Sequence, residues 1–483
     1  MGTAAIIIVV GIVLIGVIGF TARQRSKQGM TGWLVAGRKV PRWTSWFLQA
    51  GESLTTFSFL GLAGIGFAGG VSATFAVAYL TAACIGQFFV SPRLRDLAAS
   101  RGYLTMADFF KDRFRSRTLS VIVAIVGAIF LIPYLQLQLT GLGLIVQLAT
   151  GSPEASGLSM VLASAIVIVF VIWGGIRGIA RVSIFKDFGM VIALVIVTVG
   201  VVGAAGGFPE VFASVAQANA DLLTTHAKGF DAIWWVSGIS VTIIGSSFAT
   251  FPHLWSPVLA ARSGAILRDN VKWLAVYQLA LFLPITVGMS AVLLISHDTK
   301  GNQVLFTAAQ QTMPDWLVAI VAVCGAAAAM VPAGAIAMGI SSLVSNNVLF
   351  KLPERIRFRL NHVVIVVAVG LALLFGLMKS DIGQLLLLTY GGLAQLAPAV
   401  ISGLGRKVRV STWAIAAGLI AGTLTVIVIT FGNIPHGSWD SGFIALAPNL
   451  VLFGVVEAIS RATGKGRPAT AFDTVEAREE VAA

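Results

Sequence analysis

Apolar stretches recur along nearly the whole chain, and many reach the ~20 residues that carry an α-helix across a hydrocarbon core. A chain so patterned cannot fold around one buried globular core. Its backbone must satisfy its own hydrogen bonds inside lipid, and repeated helices do that. Of 483 residues, 57% are apolar and only 11% charged, against about 25% charged in an ordinary soluble domain. The expectation is an all-α polytopic membrane protein.

The spans fall at 3–21, 44–69, 72–92, 119–148, 158–176, 187–205, 232–259, 273–296, 315–344, 362–379, 383–404, 411–431 and 443–460, thirteen in all. Charge supports that count. With the N-terminus outside, the segments 22–43, 93–118, 177–186, 260–272, 345–361, 405–410 and the tail after 460 face inward and hold 30 of the 33 Lys and Arg. Lys228, Lys300 and Lys379 alone remain outside. This sorting predicts thirteen spans, N-terminus out and C-terminus cytoplasmic, in the inner (plasma) membrane. The formal charge of +13 then reads as contact with anionic membrane lipid rather than nucleic acid. Residues 1–461 form the transmembrane domain, and 462–483 read as a disordered cytoplasmic tail.

Cys84 and Cys324 lie in apolar stretches and read as packing residues with no disulfide or metal role. In the loop 93–118, GYLTMADFFKDRF places Phe109, Phe110 and Phe114 at amphipathic spacing. That spacing predicts an interfacial helix.

Two spans are interrupted. In the second, Gly51-Glu52-Ser53-Leu54-Thr55-Thr56 is a polar stop inside an apolar helix. A carboxylate at that depth costs about 2.5–3.5 kcal/mol and marks a functional hypothesis. In the seventh, Gly245-Ser246-Ser247 is followed by Pro252-His253 and Pro257, and proline breaks a helix. His253 is able to carry a proton near neutral pH. The breaks lie five spans apart, so the two halves have opposite topology, as in an inverted-repeat transporter with a midplane site. The core repeats run from about 44–205 and 232–404. Tyr134 and Gln138 share a face of the fourth span, four residues apart, and Pro332 interrupts the ninth. By these boundaries no Lys or Arg is buried in mid-bilayer. No metal cluster, P-loop, nucleophile triad or dinucleotide fingerprint is visible, so neither an enzyme nor a cofactor is expected.

As a set, WLVAGRKVPRW, FSFLGLAGIGFAGG, GYLTMADFFKDRF, WGGIRG with Lys186-Asp187, and VLAARS resemble the sodium:solute symporter family over about residues 30–400. SWFLQAGESLTTFSF, IPYLQLQLTGLG, FPHLWSPVLAARS and MVPAGAIAM are similar to its monocarboxylate permease branch. The resemblance implies a LeuT-like 5+5 inverted repeat and uptake of lactate, pyruvate or acetate. It also implies a sodium site on the carbonyls of Gly51, Leu54 and Ala328. The site's two hydroxyl ligands fall on Val331 and Pro332, which have none. A Gln-Arg pair of the family falls on Ser256 and Pro257. Glu52 is therefore expected to serve the coupling cation, either as a proton carrier or as an anionic ligand of sodium. The substrate is expected among Ser58, Tyr134, Gln138, Ser246, Ser247 and His253. The alternatives are a sodium-coupled carrier of an amino acid, sugar or vitamin and, against the short tail, a membrane sensor. The sequence leaves the choice of carboxylate, sodium or proton, and the oligomeric state open.

Overall fold

A computed structural model of the protein describes residues 2–21, 29–150, 156–225, 227, 229–377 and 382–466. Lys228, Lys379 and the tail from residue 467 lie outside the described residues. The α-helices are α1 (Thr3–Thr21), α2 (Gly29–Val35), α3 (Arg42–Ser53), α4 (Leu62–Gly69), α5 (Phe75–Arg101), α6 (Met106–Arg113), α7 (Arg117–Thr150), α8 (Ser156–Ala204), α9 (Phe208–Asn219) and α10 (Ala232–Ser247). They continue as α11 (Trp255–Ala260), α12 (Gly264–Tyr277), α13 (Phe282–Ala291), α14 (Val304–Thr312), α15 (Asp315–Ser342), α16 (Glu354–Gly376), α17 (Ile382–Ala394), α18 (Ala397–Leu404), α19 (Thr412–Phe431) and α20 (Ser441–Thr463).

Among the described residues, ten helical stretches are long and apolar enough to cross a membrane, and α17 with α18, bent by 42°, makes an eleventh. Two of the ten are too long for one crossing. Phe57–Arg101 has 45 residues and Gly157–Ala204 has 48, or about 70 Å at 1.5 Å per residue, against a core of about 30 Å. Each turns at a glycine with positive φ, Gly70 at 55° and Gly175 at 53°. At Gly175 a Cβ would also come within 2.8 Å of the Trp33 ring, so glycine serves both the backbone and the contact there.

The turn at Gly175 corrects one expectation. Residues 177–186 are not a loop; they are helical and belong to the second limb of α8. No glycine or proline follows Gly178 until Gly189, so nothing ends the helix between them. Lys186 therefore lies within the bundle, its side chain fully buried, contrary to the expectation that no Lys or Arg is buried there.

The second correction concerns α6. The helix forms, N-capped by a reciprocal pair of contacts between Thr105 and Asp108, but its aromatic face does not lie on lipid. Phe109, Phe110 and Phe114 are all buried, with Phe109 packed on Trp255 at 5.7 Å between ring centroids. Arg113 Nε donates to the Gly403 carbonyl at 2.9 Å, and Asn347 Nδ2 donates to Asp108 at 2.8 Å. The spacing identified an apolar face but could not say that protein covers it.

The centre of the bundle is α15. From Val321 to Ser342 every residue is buried, and the helix packs against α8, α7, α1 and α16. Its run of Gly and Ala lets neighbouring backbones approach closely. Cys84 and Cys324 are buried free thiols.

Candidate functional site

The site is built where two helices stop inside the bundle. α3 ends at Ser53, and Leu54 is extended (φ −98°, ψ 104°). The chain resumes as a π-helical turn over Phe57–Gly61, which leads into α4. A helix that ends here leaves carbonyls without intrahelical partners. The Lys186 ammonium meets two of them, donating to Gly51 O at 2.9 Å and Leu54 O at 2.5 Å. Lys186 also pairs with Asp187 at 2.7 Å, with side-chain exposures of 0% and 2%. Asp187 accepts a further hydrogen bond from the Tyr277 hydroxyl at 3.1 Å. A cation at a helix C-terminus is favourable in its own right. Gly51 allows the close approach: a Cβ there would lie 2.7 Å from Ser183 Oγ and 3.3 Å from Val331 Cγ1.

Beyond the break, Gln138 Oε1 accepts from Thr56 N at 3.4 Å. Ser58 Oγ donates to Ser53 O at 3.4 Å. Both residues brace the unwound segment.

The second break follows α10. Phe248 ends the helix, Ala249 adopts φ 55°, and a short turn over Pro252–Leu254 leads into α11. Here the stranded carbonyls are met by neutral donors, of which Gln87 Nε2 reaches Ser246 O from α5 at 3.2 Å and the others are local. Thr250 Oγ1 donates to Gly245 O at 2.7 Å, and Trp255 Nε1 donates to Ala249 O at 2.8 Å. His253 sits against α15, where a Cβ on Gly339 would come within 2.8 Å of its Cβ.

The breaks meet through Glu52 and His253. His253 Nε2 lies 3.7 Å from Glu52 Oε2, both side chains being buried. Neither carboxyl oxygen of Glu52 has a hydrogen-bond partner among the described residues. The Tyr134 ring meets the His253 ring edge-on at 5.5 Å. Glu52 lines a cavity of about 70 Å3 together with Gln49, Gln87, Ser246, Trp255 and Tyr390. One water needs about 10–15 Å3, so the space suits a solute of only a few heavy atoms. Among the described residues, no Lys or Arg lines it.

The residues expected from sequence divide by place. Glu52 and Ser246 are on the cavity wall. His253 and Tyr134 stand behind Glu52. Ser58 and Gln138 hold the first break. Ser247 packs toward α5, where a Cβ on Gly86 would meet its Cβ at 2.3 Å. Gly51 and Leu54 present their carbonyls to Lys186; Ala328, Val331 and Pro332 are buried in α15. Lys186, Asp187, Tyr277 and Tyr390 were not among the expected site residues. The first two stood in the sequence as a motif resemblance, and the missing helix breaker after Gly178 was the signal that they belong inside.

The sequence matches the description "Sodium:solute symporter family" over residues 33–404. The chain belongs to the sodium:solute symporter family. It is 30% identical to the uncharacterized symporter YhjB of Bacillus subtilis, across 97% of this chain and 99% of that protein. It is 26% identical to a monocarboxylate transport permease protein of Rhizobium johnstonii, across 95% and 97%. In architecture it is similar to a solved Na+-coupled sialic acid symporter, with a TM-score of 0.78 at 15% identity, covering 96% of this chain and 98% of the other. These matches establish a multi-pass membrane symporter of LeuT-like architecture, a class of transporters rather than enzymes, which implies a small-molecule substrate and a coupling cation.

Proposed function

We propose that this symporter takes up small monocarboxylates such as lactate, pyruvate or acetate together with a cation, by alternating access around the two breaks. One observation carries the reading: a buried carboxyl, Glu52, without a hydrogen-bond partner among the described residues, stands on the wall of a cavity sized for a few heavy atoms. An organic anion entering beside an ionised Glu52 would meet like charge in a medium of low dielectric. A proton taken up by Glu52 removes that repulsion, so anion and proton bind better together than apart. That is coupling in the thermodynamic sense.

The charged and titratable groups around Glu52 fit this role. His253 faces it from the second break, with Tyr134 of α7 behind. Tyr390 of α17 shares the cavity wall. Across the first break, Lys186 and Asp187 of α8 are paired with each other. That pair is neutral as a unit, and Glu52 is the carboxyl left to take a transported proton. Amide and hydroxyl groups of Gln49, Gln87 and Ser246 would orient the substrate, with Tyr134 and His253 backing Glu52.

The reading includes thirteen crossings with the N-terminus outside and the C-terminus cytoplasmic, in the inner membrane. The double-length stretches that turn at Gly70 and Gly175 support this count. The core repeats would run from about 44–205 and 232–404, within a transmembrane domain of residues 1–461.

Counterflow in proteoliposomes tests the substrate without depending on the driving ion. Vesicles loaded with unlabelled lactate or pyruvate should accumulate the labelled acid. Vesicles loaded with proline, glucose or sialic acid should not. Counterflow of an amino acid or sugar, with none of any monocarboxylate, overturns the assignment.

A further inference from the structure

The family resemblance places a coupling sodium on the carbonyls of the first break, and the residues found there do not fit that ion. Gly51 O and Leu54 O already accept from the Lys186 ammonium, at 2.9 and 2.5 Å. Sodium is a hard cation that binds through oxygen, yet α15 turns Val331 toward this point. Its Cγ1 would lie 3.3 Å from a Cβ on Gly51, and the next residue is Pro332. A sodium ion would have to expel an ammonium paired with Asp187 at 2.7 Å in a fully buried setting. Expulsion would leave that charge buried and uncompensated, at a penalty equivalent to roughly a hundredfold or more in affinity.

We propose that Lys186 is a tethered replacement for the coupling sodium. Its ammonium does what the ion would do at a broken helix. It neutralises the stranded carbonyls of α3 and ties that end to α8. Being covalently attached, it does so whatever the sodium concentration outside. Asp187 holds the ammonium in place at 2.7 Å, and Tyr277 holds Asp187 from α12. The site is thereby closed to sodium, and the cation that moves with substrate is the proton proposed for Glu52. The inference rests on membership of the symporter family but not on the choice of substrate.

The test uses the purified full-length protein and two readouts that need no substrate. Binding of 22Na+ by scintillation proximity is expected to show no saturable component in the wild type. Thermal unfolding of the wild type is expected to be the same in sodium and choline chloride. Lys186→Ala frees both carbonyls, and it should lose thermal stability in choline and recover part of it in sodium. Saturable sodium binding by the wild type overturns the proposal. So does a Lys186→Ala protein that is as stable as the wild type, or one that sodium does not stabilise. If that variant fails to insert, the wild-type binding measurement decides alone. Absence of monocarboxylate counterflow would remove the substrate assignment and leave these results standing.

Discussion

The two interrupted helices look like counterparts in the sequence, yet the protein holds them by different physics. At the first break the stranded carbonyls are met by a charge from another helix, Lys186 on α8, itself paired with Asp187. At the second they are met by neutral donors, Thr250 and Trp255 nearby in the sequence and Gln87 from α5. The first break is therefore held by a long-range charge, and the second by neutral hydrogen bonds, most of them from its own turn. Glu52 sits at the seam, attached to the charge-held break but facing His253 of the neutral one. The asymmetry implies that the first break carries most of the energetic coupling between helices and the second contributes shape.

That contrast can be broken at four points, in falling order of expected effect. Lys186→Met removes that charge and leaves Asp187 buried beside two unmet carbonyls. A loss of about 3–5 kcal/mol of stability is expected, read as a lower unfolding temperature in detergent. A loss no larger than that of a neutral hydrogen bond would erase the distinction between the breaks. At the second break, Thr250→Val and Trp255→Phe each delete one neutral bond. Each should cost about 0.6 kcal/mol, and no more than about 1.7, in the same unfolding assay.

Next is Ala249, which holds φ 55° without being glycine. Ala249→Gly relieves a left-handed strain of about 1–2 kcal/mol and adds about 0.5–1 kcal/mol of unfolded-state freedom. A net gain of between zero and about 1.5 kcal/mol should result, and a measured loss would mean that the side chain packs more than it strains. Glu52→Gln should change stability least. It is expected to keep counterflow while losing accumulation against a gradient, and concentrative uptake at the wild-type level would remove Glu52 from coupling.

Much of this was legible in the sequence because lipid leaves a chain few options. Apolar length locates helices, and polar or proline residues within them locate breaks, so both interruptions and Glu52 could be read without coordinates. Two things could not be read. The mean hydropathy of residues 177–186 falls because of Arg177, Arg181 and Lys186, which resembles a loop. The turn at Gly175 shows that the helix restarts earlier and carries Lys186 inside, where the sequence offers only the missing breaker after Gly178 as a signal. The aromatic face of α6 likewise has the spacing of a lipid-facing helix, while its burial depends on α18 and Trp255, distant in the sequence. Periodicity reports that a face is apolar and is silent about what covers it. Tyr390 shows the same limit, since it reaches the Glu52 cavity from a helix far along the chain.

The central claim is that a protein of a sodium symporter family couples uptake to a proton at Glu52 because Lys186 has taken the sodium's place. Labelled lactate or pyruvate uptake into proteoliposomes, with an inward proton gradient and an inward sodium gradient imposed one at a time, tests this most directly. Accumulation driven by the proton gradient and unchanged by the sodium gradient is the expected result. Accumulation driven by sodium alone, with no response to protons, would contradict the account.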